Sequence, residues 1–147
     1  TLTAGSTGAF GANAVTVNGG ILNLGQQTLA NNITIAGGEL TGGSIDAGRV
    51  TLASGTISAT LTGAGTLTKS GTGTFTLGSA NTFTGGTTVA EGTLGGTGSL
   101  ASGVTVDNGA SLAPGASAGT FTVNGNVTIN GSVNVTMHAQ RANPAVL

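Results

Sequence analysis

Few side chains in this 147-residue chain are suited to acid–base or metal chemistry. The acids are Glu39, Asp46, Glu91 and Asp107, and the single histidine is His138. Hydrolysis or elimination of a polysaccharide needs two or three carboxylates on one face of a protein. No two acids are adjacent in this sequence, so only the fold would align them. A glycan-acting enzyme is therefore a distant alternative, and we expect the acids to be solvated turn residues.

Other patterns for catalysis or ligand binding fail at identifiable positions. Cysteine is absent, which excludes disulfides, thiolate metal ligands and cysteine nucleophiles. No G-x-S-x-G motif accompanies His138. Residues 95–98 begin like a calcium-binding nonapeptide, but Leu100 stands where that motif needs aspartate. Lys69 lacks the preceding glycine of a phosphate-binding loop. We predict no catalytic, cofactor-binding or metal-binding residues, and we expect that the chain is not an enzyme.

The composition also limits the partners. Charged residues make up 5% of the chain, and the formal net charge is -1. Such a chain has no electrostatic field to attract nucleic acid or an anionic membrane surface. No apolar run approaches the ~20 residues of a membrane helix. We therefore predict no nucleic-acid partner and no membrane insertion by this segment.

One short phrase, apolar-Thr-apolar, returns along the chain and is followed by a glycine-rich or asparagine-rich turn. Its copies are often roughly 17 to 20 residues apart, which is the scale of a solenoid repeat. The alternation predicts strands with one face inward, near 14–17, 21–24, 32–35, 39–41, 49–52 and 56–58. Six copies of the phrase begin at Val15, Ile33, Val50, Val104, Phe121 and Val127.

Two all-β folds fit this pattern. Asparagine and glycine between alternating strands, as in Asn18-Gly19-Gly20, usually indicate hairpins and hence an antiparallel meander. The steady repeat and the low charge instead favour a parallel β-helix, in which each strand stacks on its equivalent one turn away. In that fold inward Val, Ile, Leu, Phe and Ala form the core, and outward Thr stacks on outward Thr. We predict a β-solenoid of about seven coils and roughly 30 to 35 Å in length.

The middle of the chain, residues 61–98, is denser in glycine and in Thr-apolar-Thr triplets than the rest. Its distinctive positions, between residues 67 and 94, are Lys69, Gly71, Gly73, Thr74, Thr76, Leu77, Asn81, Thr82, Phe83, Thr84, Gly85, Gly86, Val89, Gly92 and Leu94. These positions resemble the autotransporter-associated β-strand repeat, a family that often has tyrosine where this chain has Phe83. Residues 98–133 look like the segment that follows in such passengers, with Pro114-Gly115 in their most distinctive part.

The resemblance implies a right-handed parallel β-helix from a pertactin-like passenger of a type V secreted protein. Such passengers are exported to the surface of Gram-negative bacteria, so the implied location is secreted or cell-surface. We divide the chain into a passenger β-helix fragment, residues 1–136, and an irregular tail or linker, residues 137–147. The leading hypothesis is a noncatalytic surface stalk or adhesin scaffold, with a host-surface or glycan ligand as a partner that the sequence does not identify.

Two further alternatives belong to other classes. Open strand edges at the ends of a β-helix invite head-to-tail stacking, so the chain is alternatively a self-assembling filament subunit with homotypic head-to-tail or lateral contacts. A flat threonine array on a β-solenoid would bind ice, which is a distant possibility. The Thr-apolar-Thr triplets in the middle of the chain, such as Thr66–Thr68 and Thr74–Thr76, are irregularly spaced, so we expect them on different faces.

Overall fold

The computed structural model describes residues 1–6, 8–46, 48–114 and 120–134, and over these residues the chain is all-β with no helix. In chain order the strands are β1 (Leu2–Thr3), β2 (Val15–Val17), β3 (Ile21–Asn23), β4 (Thr28–Leu29), β5 (Ile33–Ile35), β6 (Glu39–Thr41), β7 (Ser44–Ile45), β8 (Arg49–Leu52), β9 (Gly55–Ile57), β10 (Thr60–Leu61), β11 (Thr66–Lys69), β12 (Thr74–Leu77), β13 (Ala80–Asn81), β14 (Thr87–Val89), β15 (Thr93–Gly96), β16 (Ser99–Leu100), β17 (Val104–Val106), β18 (Ser111–Pro114), β19 (Thr122–Val123), β20 (Val127–Ile129) and β21 (Ser132–Val133).

These strands form the three faces of a parallel β-solenoid of about seven turns. The first face is an eight-stranded sheet in the order β1-β3-β6-β9-β12-β15-β18-β21, and the second is a seven-stranded sheet in the order β2-β5-β8-β11-β14-β17-β20. The third face consists of two three-stranded sheets, β4-β7-β10 and β13-β16-β19. The described strand pairs are parallel, including β2 with β5 and β14 with β17. The predicted parallel coil is therefore confirmed, and the hairpin alternative is wrong.

The register of the seven-stranded sheet gives the coil lengths. Val15 pairs with Ile33 and Ile33 with Val50, which are coils of 18 and 17 residues. Val104 pairs with Val127, a coil of 23 residues. The irregular spacing is taken up at the corners, because the paired strands themselves stay in register.

The alternation of apolar residues and threonine explains why the strands of the two long faces lie at these positions in the sequence. In β5 and β8 the apolar residues point inward and are buried, and the threonine between them points outward. The six strands predicted for residues 14–58 agree with the observed strands to within one residue at each end. The strands of the third face are only two residues long, and each provides one inward side chain, such as Leu29 or Ile45.

The centre of the seven-stranded sheet is threonine in every strand. The register stacks these residues in one continuous outward column, as expected for parallel coils. The threonine ladder consists of Thr16, Thr34, Thr51, Thr68, Thr88, Thr105 and Thr128. Because adjacent strands lie ~4.8 Å apart, the methyl and hydroxyl groups repeat at that interval along the rod. The Thr-apolar-Thr triplets do lie on different faces, since β11 and β12 belong to different sheets.

Within the described residues no helix is long and apolar enough to cross a membrane. The proposed boundary at residue 137 and the tail that follows it lie outside the described part of the chain, as does His138. The division into a β-helix and a tail therefore stays a prediction.

Candidate functional site

The acids do not converge on one site. Glu39 lies on the eight-stranded face, whereas Asp46 directly follows β7 on the third face. Glu91 and Asp107 lie at one corner in adjacent coils, because Val89 pairs with Val106. Among the described residues no group of three or more Asp, Glu, His or Cys side chains is placed to hold a metal ion. Asp46, Glu91 and Asp107 thus lie in turns, as the sequence predicted, whereas Glu39 lies within strand β6 and is half-buried.

The inward-facing side chains form columns along the rod, and three of these columns are interrupted by a polar residue. In the seven-stranded sheet one column runs from Val15 to Val127 and the other from Val17 to Ile129. A third column, on the third face, begins at Leu29. Each of these apolar columns contains one polar residue, namely Thr87, Lys69 and Asn81 respectively. We call these three the polar core residues.

Lys69 is fully buried in a position that is Leu52 one coil earlier and Val89 one coil later. Its Nζ donates hydrogen bonds to the carbonyl oxygens of Gly71 at 2.6 Å and of Ser70 at 3.3 Å. A third bond, also 3.3 Å, reaches the carbonyl of Glu91 in the next coil. The ammonium group therefore joins the corners of two consecutive coils, and it satisfies three main-chain acceptors that have no ladder partner there.

Burial lowers the pKa of Lys69 from 10.5, because removing the ammonium from water disfavours its charged form. The nearby Glu91 carboxylate opposes this change by favouring the charge. A lysine with a lowered pKa in a cleft would be a candidate nucleophile. Lys69 is instead enclosed at the corner with its amine engaged by carbonyl oxygens, so the arrangement supports a structural role.

Asn81 connects the two sheets of the third face through hydrogen bonds of its side chain. Its side chain is 2% exposed, and its Oδ1 accepts a hydrogen bond from the N–H of Leu61 at 3.0 Å. Its Nδ2 donates to the carbonyls of Ser79 at 2.8 Å and Ser99 at 3.1 Å. The side-chain amide thus takes the place of a main-chain amide between β10 and β13, where the third face divides into two sheets. It links three successive coils.

Thr87 is the polar core residue without a compensating bond. Its Oγ1 has no hydrogen-bond partner within the described structure, and the Oγ of Ser102 in the next coil is in the same condition. The two residues lie near each other, since the N–H of Thr87 donates to the carbonyl of Gly103 at 2.9 Å. A buried hydroxyl without a partner costs free energy, so this corner is a weak point of the core.

All three polar core residues fall in one stretch of sequence. Residues 67–95 match the family model of the passenger-associated-transport-repeat. The chain therefore carries an autotransporter passenger-like repeat within a β-solenoid. A comparison with curated proteins and one with solved structures each found no significant match.

In this chain the passenger-associated-transport-repeat differs from the other coils in its core. It is the stretch in which the apolar columns are interrupted by polar side chains, of which Lys69 and Asn81 bond to main-chain groups of neighbouring coils. Phe83 and Phe75, which are also in the repeat, are buried and extend the core around these bonds. Lys69 and Asn81, which carried part of the sequence resemblance, therefore hold neighbouring coils together.

Sequence reasoning identified Lys69 and Asn81 as repeat positions but missed what they do. A signal for Lys69 was present, because Leu67-Thr68-Lys69 is an apolar-Thr-apolar copy with lysine in an inward position. The role of Asn81 depends on contact with Leu61, which is 20 residues away in sequence. No local pattern reveals that contact.

Proposed function

We propose that this chain is a noncatalytic rod in the surface-exposed passenger of a type V secreted protein. The observation that carries the proposal is the passenger-associated-transport-repeat at residues 67–95 within a solenoid in which Lys69 and Asn81 bond to main-chain groups of neighbouring coils. The exterior supports a spacer or adhesin scaffold, because its faces present hydroxyl ladders and few charges. Binding of a host-surface protein or glycan belongs to the proposal and has no assigned site.

Surface display tests the location. The chain would be fused between an N-terminal epitope and an outer-membrane anchor in a Gram-negative host. We expect antibody to label the epitope on intact cells and added protease to remove it. Leu52→Asp, which places a charge in the buried column, is the matched control and should reduce display because it prevents coil stacking. Retention of the wild-type epitope inside the cells would contradict the proposal.

A polysaccharide screen tests the noncatalytic part. The purified chain would be incubated with acidic and neutral bacterial and host glycans, and new reducing ends or unsaturated products would be measured. We expect none. Turnover that is lost in both Glu91→Gln and Asp107→Asn, the two acids at one corner, would show that the fold aligns carboxylates, and would replace the rod by an enzyme.

A second candidate, a head-to-tail filament, is favoured by the position of the exposed large apolar side chains. Among the described residues these are Leu2 and Ile21, on the first two strands of the eight-stranded sheet, and Val127, Ile129 and Val133 in the last described coil. A hollow of about 350 Å³ at the first coil is lined by Leu2, Phe10 and Ile21 among others. The last strand of the seven-stranded sheet reads Val-Thr-Ile and the first reads Val-Thr-Val, so one copy would continue the columns of another.

Sedimentation and electron microscopy of the purified 147-residue chain test this candidate. We expect concentration-dependent linear particles, and we expect Ile129→Lys to shorten them because a charge at an edge strand opposes pairing. Thr68→Lys, on the flank of the rod, is the control and should leave end-to-end contacts intact. Dispersed single particles at high concentration would exclude filament formation.

A further inference from the structure

Four corners of the solenoid contain an asparagine followed by glycine. All four asparagines are exposed. They differ in how the neighbouring coil holds the glycine. The pairs are Asn18-Gly19, Asn108-Gly109, Asn124-Gly125 and Asn130-Gly131. In an Asn-Gly pair the glycine nitrogen can attack the asparagine side chain, because glycine has no side chain to obstruct the approach. The attack requires that the glycine be free to move.

The glycine of the second pair is unconstrained. Gly109 lies in a turn closed by a 3.0 Å hydrogen bond from the N–H of Ala110 to the carbonyl of Asp107, and its φ is 86°. A Cβ placed on Gly109 would meet no atom of the described residues within 4 Å. Its N–H has no hydrogen-bond acceptor in the described part of the chain. Asn108 and Gly109 are both exposed, so water reaches the corner.

The glycines of the third and fourth pairs are held by an adjacent coil. The N–H of Gly131 donates to the carbonyl of Val106 at 3.2 Å, and Gly131 packs against the carbonyls of Asp107 and Ala110. Gly125 lies against the main chain of Gly103. Movement of these two glycines therefore requires two coils to separate locally. At the first corner Gly38 of the next coil lies against Gly19, but a Cβ on Gly19 itself would meet no described atom within 4 Å, so Asn18 does not serve as a slow reference.

We propose that Asn108 is a site of spontaneous deamidation and isoaspartate formation in the folded protein. The Gly109 nitrogen gives up its proton to water or hydroxide and forms a bond to Cγ of Asn108. The Cγ–Nδ2 bond breaks, and the NH2 group takes up a proton from water and leaves as ammonia, while the Cγ carbonyl stays in the ring. The resulting cyclic imide is then hydrolysed by one water molecule at either carbonyl. One product is aspartate, and the other is isoaspartate, in which the main chain runs through the former side chain.

Both products change this corner physically. The formal net charge goes from -1 to -2, and the new carboxylate lies next to Asp107 in the chain and at the corner that Glu91 occupies one coil earlier. Isoaspartate also adds a methylene group to the main chain inside the turn that the Ala110–Asp107 hydrogen bond closes. The modification would therefore introduce charge and an altered turn into a rod with a nearly uncharged surface.

The experiment is incubation of the purified 147-residue chain in mildly alkaline buffer, followed by proteolysis and mass spectrometry with fragmentation that distinguishes aspartate from isoaspartate. We expect Asn108 to convert at least about tenfold faster than Asn124 and Asn130, because the latter two react only after local opening. Asn108→Gln is the matched variant, since the longer side chain disfavours the five-membered ring while it keeps the amide. That variant should lose the rapid conversion and leave the other three rates unchanged.

A parallel incubation in concentrated urea separates structure from sequence. There the coils no longer hold the glycines, so the four asparagines should convert at similar rates, and the rate at Asn108 should change least relative to buffer. Conversion of Asn130 or Asn124 as fast as Asn108 in the folded chain would overturn the proposal. So would an Asn108 rate in buffer that is far below its rate in urea.

Discussion

The neighbours of Lys69 in its inward column are apolar, so its contribution to the stability of the fold can be compared directly with theirs. Its aliphatic stem takes the inward position that Leu52 and Val89 take in the adjacent coils, while its ammonium reaches carbonyl oxygens of two corners. Asn81 is similar, with all its amide hydrogen-bonding groups directed to main-chain partners. Thr87 gains no such bonds.

Lys69→Met keeps most of the buried stem and removes the donors. We expect a loss of about 1–3 kcal/mol in the free energy of unfolding, because carbonyls at two corners lose their partner. Urea denaturation monitored by circular dichroism measures it. Leu52→Met is the control in the same column and should cost less than about 1.5 kcal/mol, since it changes only shape. Equal losses in the two variants would mean that the ammonium contributes nothing.

Alkaline pH provides an independent measurement on Lys69. Because burial lowers its pKa in the folded state below 10.5, the unfolded chain binds more protons in the interval between the two pKa values. The free energy of unfolding contributed by this group should therefore rise with pH across that interval. Unfolding in urea at a series of alkaline pH values should show this slope in the wild type and not in Lys69→Met. A contribution that falls with pH would show that the carbonyls raise the pKa instead.

Thr87→Val replaces a buried hydroxyl without a partner by a methyl group of similar shape. We expect stabilisation of about 1 kcal/mol, because no hydrogen bond is lost and a desolvated polar atom is removed. The adjacent Thr88→Val, in the exposed threonine ladder, is the control and should change stability by less than about 0.5 kcal/mol. Thermal denaturation of both variants measures these changes in stability. A destabilised Thr87→Val would show that the Thr87 hydroxyl has a hydrogen-bond partner, such as an internal water.

At the scale of elements, the strands of adjacent coils stay in register because the corners absorb differences in coil length. Corners achieve this with glycines in left-handed backbone conformations that come very close to the neighbouring coil. Gly96 at the end of β15 has a φ of 132°, and a Cβ there would collide with the carbonyl of Leu77. Gly109 has a φ of 86° but open space around it.

Substitutions at these two glycines distinguish the stability cost of a left-handed backbone from the cost of a clash with the adjacent coil. Gly109→Ala should cost about 1–2 kcal/mol, the usual penalty for a side chain in a left-handed conformation. Gly96→Ala should cost clearly more, because the added methyl group also forces β12 and β15 apart. Chemical denaturation measures both losses. If the two substitutions cost the same, close packing between coils would not be what selects glycine at Gly96.

At the scale of the molecule, each coil contacts chiefly the coils before and after it, so the rod approximates a one-dimensional array. Residues 33–49 make up one complete coil, since Ile33 pairs with Val50. Their removal joins Asn32 to Val50 and lets β8 pair directly with β2. Such a deletion should leave a folded rod with one coil fewer.

We expect the deletion of residues 33–49 to retain the β-sheet circular dichroism spectrum. Its denaturant m-value should be smaller by about one part in seven, because the m-value scales with the surface exposed on unfolding. Deletion of residues 33–41 is the control, since it removes half a coil and brings strands of different faces into line. A cooperative, native-like transition in that control would contradict the register described above.

The sequence predicted the parts of this rod that depend on local alternation. The apolar-Thr-apolar copies at Val15, Ile33 and Val50 define both the inward columns and the threonine ladder, and they led to the parallel coil. The third face escaped prediction, because two-residue strands such as β4 and β7 contain no alternation. The contacts of Lys69 and Asn81 escaped it as well, since each spans about one coil and depends on the final register. The repeat resemblance located these residues without explaining them.

The parallel stacking of coils has a mechanical consequence. A folded coil of 17 to 23 residues advances the rod by only ~4.8 Å. The same length of chain, when fully extended, spans about 55 to 80 Å. Tension along the axis would therefore detach coils one after another, each releasing more than ten times its folded length. Lys69 and Asn81 join coils by hydrogen bonds within the passenger-associated-transport-repeat, so coils outside the repeat should detach before those inside it.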